Sequence, residues 1–232
     1  MNRSPCIRLF VAVLLLTTLP LLAGIAWSEP TITCHCFQDR QYDPARPLAA
    51  DPYLLATVQN RLIGYLYRQP RQEIVRSKMG GLPGDRLWIS SQVAAAAGRT
   101  GADALQARAA AGSWREAVTG LGADPERLGP QFMARLAAGA DERALAEAVI
   151  DQVLETRLEV PSEVVAGLRG VGAAGQELVA AAVLAGVAGR HPVEVYQQAR
   201  GAGSWGQWLT QAGLTLPQVD AWLAAVLVQT RP

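Results

Sequence analysis

The chain has 232 residues, 50% of them hydrophobic, with 21 basic and 20 acidic side chains and a formal charge of +1. That balance excludes a polyanion binder built on a basic face, and the apolar content excludes a compositionally disordered chain. The length permits a sizeable core in one or two domains.

Residues 1–28 read as an export signal. Arg3 and Arg8 form a positive start, an apolar run follows from Leu9 to Ile25, and Ala26-Trp27-Ser28 places small residues at both cleavage-determining positions, so cleavage is expected before Glu29. The competing reading is an uncleaved anchor, because the run only just reaches the ~17 to 25 residues that span a bilayer. Pro20 and the small residues after it favour a signal. A lipoprotein is disfavoured, since Thr31-Ile32-Thr33 before Cys34 lacks the usual aliphatic and small residues. Loss of two arginines leaves 19 basic and 20 acidic groups, a charge of −1. The mature protein is therefore expected in the periplasm or outside the cell, without a nucleic-acid partner, and touching membrane only through an uncleaved signal.

Residues 29–50, "EPTITCHCFQDRQYDPARPLAA", form a tail whose β-branched start and prolines suggest an extended segment. It holds both mature cysteines. Cys34 and Cys36 face an oxidising compartment, so a disulfide is the first expectation, either a small strained ring or a bond that makes a homodimer. The sharper reading is redox or transition-metal chemistry, because Cys34, His35 and Cys36 offer two thiolates and an imidazole. In an extended chain His35 points away from both cysteines, and His191 is the only other histidine, so a closed four-ligand site would need carboxylates or a second chain. No other cofactor is expected.

From residue 51 onward the chain is expected to be all-α and to repeat itself. Displaced by 91 residues without a gap, positions 53–122 match 144–213 at 17 of 70 positions, seven of them Gly, Pro or Trp. Matched punctuation implies matched structure, here two tandem multi-helix repeats at 51–139 and 140–232. In the first, Asp51 is expected as N-cap of a helix through "YLLATVQNRLIGYLY". Pro70 opens "RQEIVRSKM", Gly98 ends "DRLWISSQVAAAAG", and Thr100 with Asp103 starts the next helix. The second copy does the same with Pro192 and Glu194. Final helices start at Asp124-Pro125 and Leu216-Pro217, and residues 177–189, nearly all apolar or glycine, read as a helix buried on most sides.

The most distinctive shared stretch is Gly112-Ser113-Trp114 and Gly203-Ser204-Trp205. Each glycine suits a left-handed helix end and each serine the N-cap of the next helix, with Glu116 or Gln207 completing a reciprocal capping box. Each tryptophan then heads an apolar stripe with helical spacing, so Gly-Ser-Trp is read as a structural joint with a core anchor.

Other chemistry is thinly represented. Two histidines leave little for a His-based triad. "GGLPG" at 80–84 and "GVGAAG" at 170–175 are glycine-rich, but neither follows a strand or precedes Lys-Ser/Thr, so no phosphate loop is inferred. Glu142 and Glu147 read as a solvated helix face.

The tail followed by "ADPYLLATVQN", and the Gly-Arg pairs at 98–99 and 189–190 leading into Gly-Ser-Trp, resemble a group of uncharacterised exported bacterial proteins. The resemblance covers most of the mature chain, implies an exported helical repeat protein, and carries over no activity or functional residue. The helix, Gly, helix, Gly-Ser-Trp-helix cadence is also similar to helix-turn-helix modules, against which stand the export signal and the absent basic face. The expected function is a non-enzymatic scaffold or interaction protein with a protein partner; the alternative is redox or metal handling by Cys34-His35-Cys36. Protein recovered from an oxidising compartment is expected to carry no free thiols and less than one metal per chain. Reduced thiols with one tightly held transition metal per chain or dimer would reverse that order.

Overall fold

Pro, Gly and Ser/Thr/Asp punctuate the chain so densely that no helix among the described residues exceeds 17 residues. The structure, a computed structural model, describes residues 42–229, with side chains through Leu227. Those residues form thirteen α-helices and no strand. The N-terminal half holds α1 (Asp51–Tyr67), α2 (Arg71–Met79), α3 (Gly84–Ala97), α4 (Gly101–Ala111), α5 (Trp114–Leu121), α6 (Pro125–Leu128) and α7 (Pro130–Ala137). The C-terminal half holds α8 (Glu142–Arg157), α9 (Ser162–Gly170), α10 (Gly175–Ala188), α11 (Pro192–Gly201), α12 (Trp205–Gln211) and α13 (Leu216–Gln229). The first residues of α1 to α6 lie 91 positions before those of α8 to α13, pair by pair.

Two buried helices organise the core. Along α10 every residue from Leu178 to Ala185 is buried, and on α3 Leu87, Trp88, Ile89 and Val93 are sealed from solvent. Each also packs across the halves: α3 lies on α8, and α10, besides its neighbour α11, lies on α1. The outer helices follow the same cross, α13 lying on α1 and α7 on α8. Small residues allow this closeness. A Cβ at Gly186 would fall 2.0 Å from Trp222 Cζ2, so the indole occupies the space that the missing side chain leaves. No single helix among the described residues is long and apolar enough to cross a membrane.

Several local expectations hold. Gly112 (φ 81°) and Gly203 (φ 86°) take the left-handed conformation, while Ser113 and Ser204 accept the backbone N–H of Glu116 and Gln207. Thr100 and Asp103 form a reciprocal box at α4. Trp114 and Trp205 are each 4% exposed. Burial of an indole contributes a few kcal/mol, at ~25 cal/mol per Å² over ~150 to 250 Å².

Three expectations are corrected. Residues 42–50 are not extended: successive turns begin at Asp43 and Arg46, in which Arg46 N–H donates to Asp43 O and Ala49 N–H to Arg46 O. The Ala45 N–H and the Arg46 guanidinium both donate to the Asp43 carboxylate, which holds its pKa below the ordinary value. The expected reciprocal boxes at Ser113 and Ser204 are only half formed: Glu116 Oε2 accepts the Ser113 hydroxyl instead of its N–H, and the Gln207 side chain does not accept the Ser204 N–H. Asp51 does not cap its own helix, where Ala50 is the N-cap. Its carboxylate crosses to the other half and accepts the N–H groups of Trp205 and Gly206, both at 2.9 Å.

The first three orphan N–H groups of α12 are thus shared between Asp51 and Ser204. Two charge-assisted bonds at a part-buried site outweigh one hydroxyl cap. Asp51→Ala should cost about 2 to 3 kcal/mol in urea unfolding, and Ser113→Ala about 1 kcal/mol. Equal losses for the two variants would contradict the crossed capping.

Candidate functional site

The residues expected to carry chemistry, Cys34, His35 and Cys36, lie outside the described residues. The remaining histidine is structural, since His191 Nδ1 accepts the Val193 N–H at the start of α11. Among the described residues no three His, Cys, Asp or Glu side chains come together as a metal cluster. Gly112, Ser113 and Trp114, like Gly203, Ser204 and Trp205, act as helix joints, and the tryptophans are core anchors with polar ties across the molecule.

The Trp114 tie ends on the acids of α8, which correct the expectation of a solvated face. Glu142 Oε1 accepts the Trp114 indole N–H at 3.0 Å, while Oε2 receives the Arg86 guanidinium at 2.9 Å. Glu147 stands within 3.6 Å of Arg135, 3.3 Å of Arg143 and 3.7 Å of Arg169. One turn further on, buried Asp151 takes a forked pair of bonds from Arg169, at 2.6 and 3.0 Å. Across the molecule Lys78, 91 residues before Arg169, donates to Asn60 Oδ1, 91 residues before Asp151. At positions 91 residues apart, one half thus has an ion pair and the other a charge-dipole bond.

Beside this cluster opens a cleft of about 430 Å³. The amino termini of α3 and α10 reach it together, delivered by the two glycine-rich stretches. Gly84 and Asp85 line one wall, and Ala174, Gly175 and Gln176 another. Arg143, Glu147 and Arg169 border it on the α8 side, and Gln59 and Trp88 complete it. Burial raises the Asp85 carboxyl above its ordinary pKa; Arg143 opposes that shift, while Glu147, Glu142 and Asp141 add to it. The cleft mixes donors, two guanidinium groups and a carboxyl that loses its proton reluctantly, a composition suited to binding a polar group. The chain matches no protein-family model, no curated protein and no solved structure.

Sequence reasoning missed both the acid cluster and the cleft. The one available signal was the offset itself, which aligns Lys78 with Arg169 and sets polar Gln59 against Ile150.

The Arg169–Asp151 pair is expected to matter when broken rather than when replaced. Arg169→Met strands a buried carboxylate and should cost about 3 kcal/mol, whereas the double variant Arg169→Met/Asp151→Leu should recover most of that loss. Chemical denaturation of the three proteins checks this, and a double variant as unstable as the single one would contradict it.

Proposed function

We propose that residues 51–139 and 140–232 are two copies of one helical unit, and that the protein is an exported, non-enzymatic scaffold that presents a surface to a protein partner. Support for the copies comes from the six helix pairs set 91 residues apart and from the crossed packing, in which α3 meets α8 as α10 meets α1. Asp51 and Glu142, the first residues of α1 and α8, each hold the Gly-Ser-Trp helix of the opposite half.

The observation that carries the functional reading is the placement of exposed apolar side chains. Met79 is 50% and Val171 68% exposed, at the ends of α2 and α9, in the two loops that lead into α3 and α10. Two apolar side chains left in water at nearly corresponding points fit a contact surface better than a packing accident.

The test uses tagged full-length protein recovered after export in its native host. A partner should copurify with wild type and with Cys34→Ser/Cys36→Ser, and be lost from Met79→Glu/Val171→Glu, whose unfolding curve should match wild type because both positions are exposed. A partner that depends on the cysteines and ignores residues 79 and 171 would favour redox or metal handling instead.

A further inference from the structure

The cleft between the amino termini of α3 and α10 contains more unsatisfied polarity than a scaffold needs. The N–H groups of Gly84, Asp85, Gly175 and Gln176 lie in the first turns of two 14-residue helices and have no acceptor among the described residues. Neither helix has a side-chain cap: the residues in the N-cap positions are Pro83 and Ala174, and Glu177 engages only the Ala174 N–H. Such termini carry partial positive charge and point bare donors outward.

The second observation lies in the lining. Gln59 and Trp88 are each 1% exposed, yet Gln59 Oε1 and Trp88 Nε1 have no hydrogen-bond partner. A buried polar atom without a partner costs about 1 to 3 kcal/mol, so its retention calls for an explanation. Packing does not supply one. On the proposed equivalence of the two halves, the corresponding positions hold Ile150 and Val179, both buried and apolar. There Gly175 is pressed against Ile150, its missing Cβ only 2.9 Å from Ile150 Cδ1, whereas at Gly84 the nearest atom, Gln59 Nε2, is 3.5 Å away. Ile150 lines the same cleft from the other half, so this one cleft has a polar wall at Gln59 and Trp88, where the gap at the glycine is wider, and an apolar wall at Ile150.

We propose that this cleft binds a small oxyanion that also carries a hydrogen-bond donor: a hydrogen phosphate, or a carboxylate with an adjacent amino or hydroxyl group. The anionic oxygens take the bare N–H groups of α3 and α10 and the Trp88 indole N–H, and the donor satisfies Gln59 Oε1. Arg143 balances the charge from the rim. Of the acids nearby, Glu147 and Asp151 share Arg135, Arg143 and Arg169 between them, and burial raises the pKa of the Asp85 carboxyl above its ordinary value. A volume of about 430 Å³ suits a ligand of amino-acid or small phosphate-ester size.

The proposal does not depend on a protein partner at Met79 and Val171, and failure of either reading leaves the other intact. The test is titration of the full chain, in chloride buffer of constant ionic strength, with inorganic phosphate and separately with glycine, followed by calorimetry and backbone amide NMR shifts. Saturable binding of phosphate, glycine or both is expected, with shifts at Gly84, Asp85, Gly175 and Gln176; which probe binds identifies the anion's source. Gln59→Ile, which copies the other half, should weaken binding by roughly tenfold or more while unfolding at the same or higher temperature. Gly84→Leu, which fills the cleft from the first helical position, should abolish binding and covers the case in which Gln59→Ile disturbs the fold. Absence of saturable binding by both probes, or undiminished binding in these variants, would overturn the proposal.

Discussion

A helix as rich in alanine and glycine as α10 offers little apolar area per residue, so it serves as a core element only when neighbours approach closely on every side. Its own half supplies α11, α13 and α8, and the other half supplies α1. Its long apolar partner is α1, and α3 in turn lies along α8. Each half therefore completes its core with the first helix of the other, and the apolar surface removed from water belongs to neither half alone.

The polar contacts fix the register of that exchange. Asp51 reaches across to bare N–H groups at the start of α12, and Glu142 reaches across to the Trp114 indole. Dispersion between alanine faces is non-directional and would tolerate sliding, whereas charge-assisted bonds at 2.9 to 3.0 Å between helix starts would not. The Gly-Ser-Trp stretch has two roles in consequence. Locally, glycine ends one helix and serine opens the next; at long range, tryptophan fills the core and its helix start docks on the opposite acid.

Helix starts were legible in the sequence because their causes are local. Pro70, Gly98, Thr100, Ser113 and Ser204 act on backbone groups within four residues, and each performs the expected operation. Asp51 was misread for the complementary reason: it stands where a capping residue should, but the N–H groups it satisfies lie 154 and 155 residues away. The acids of α8 were misread similarly, since helical periodicity places them on a face without saying that arginines from α3, α7 and α9 converge on it. The cleft was illegible because its elements are ordinary one by one. Two glycine-rich turns, a glutamine and a tryptophan acquire meaning only when the crossed packing brings them to one place.

That crossing is the central claim, and residue-resolved native-state hydrogen exchange in low denaturant tests it most directly. If α3 and α10 each complete their cores with the other half, amides in both, such as Ile89 and Val93 against Val179 and Val183, should open only through global unfolding. They should then report the same free energy and the same denaturant dependence. Protection in α10 that survives the loss of protection in α3, or the reverse, would mean that one half holds its core unaided and would contradict the interlocked account.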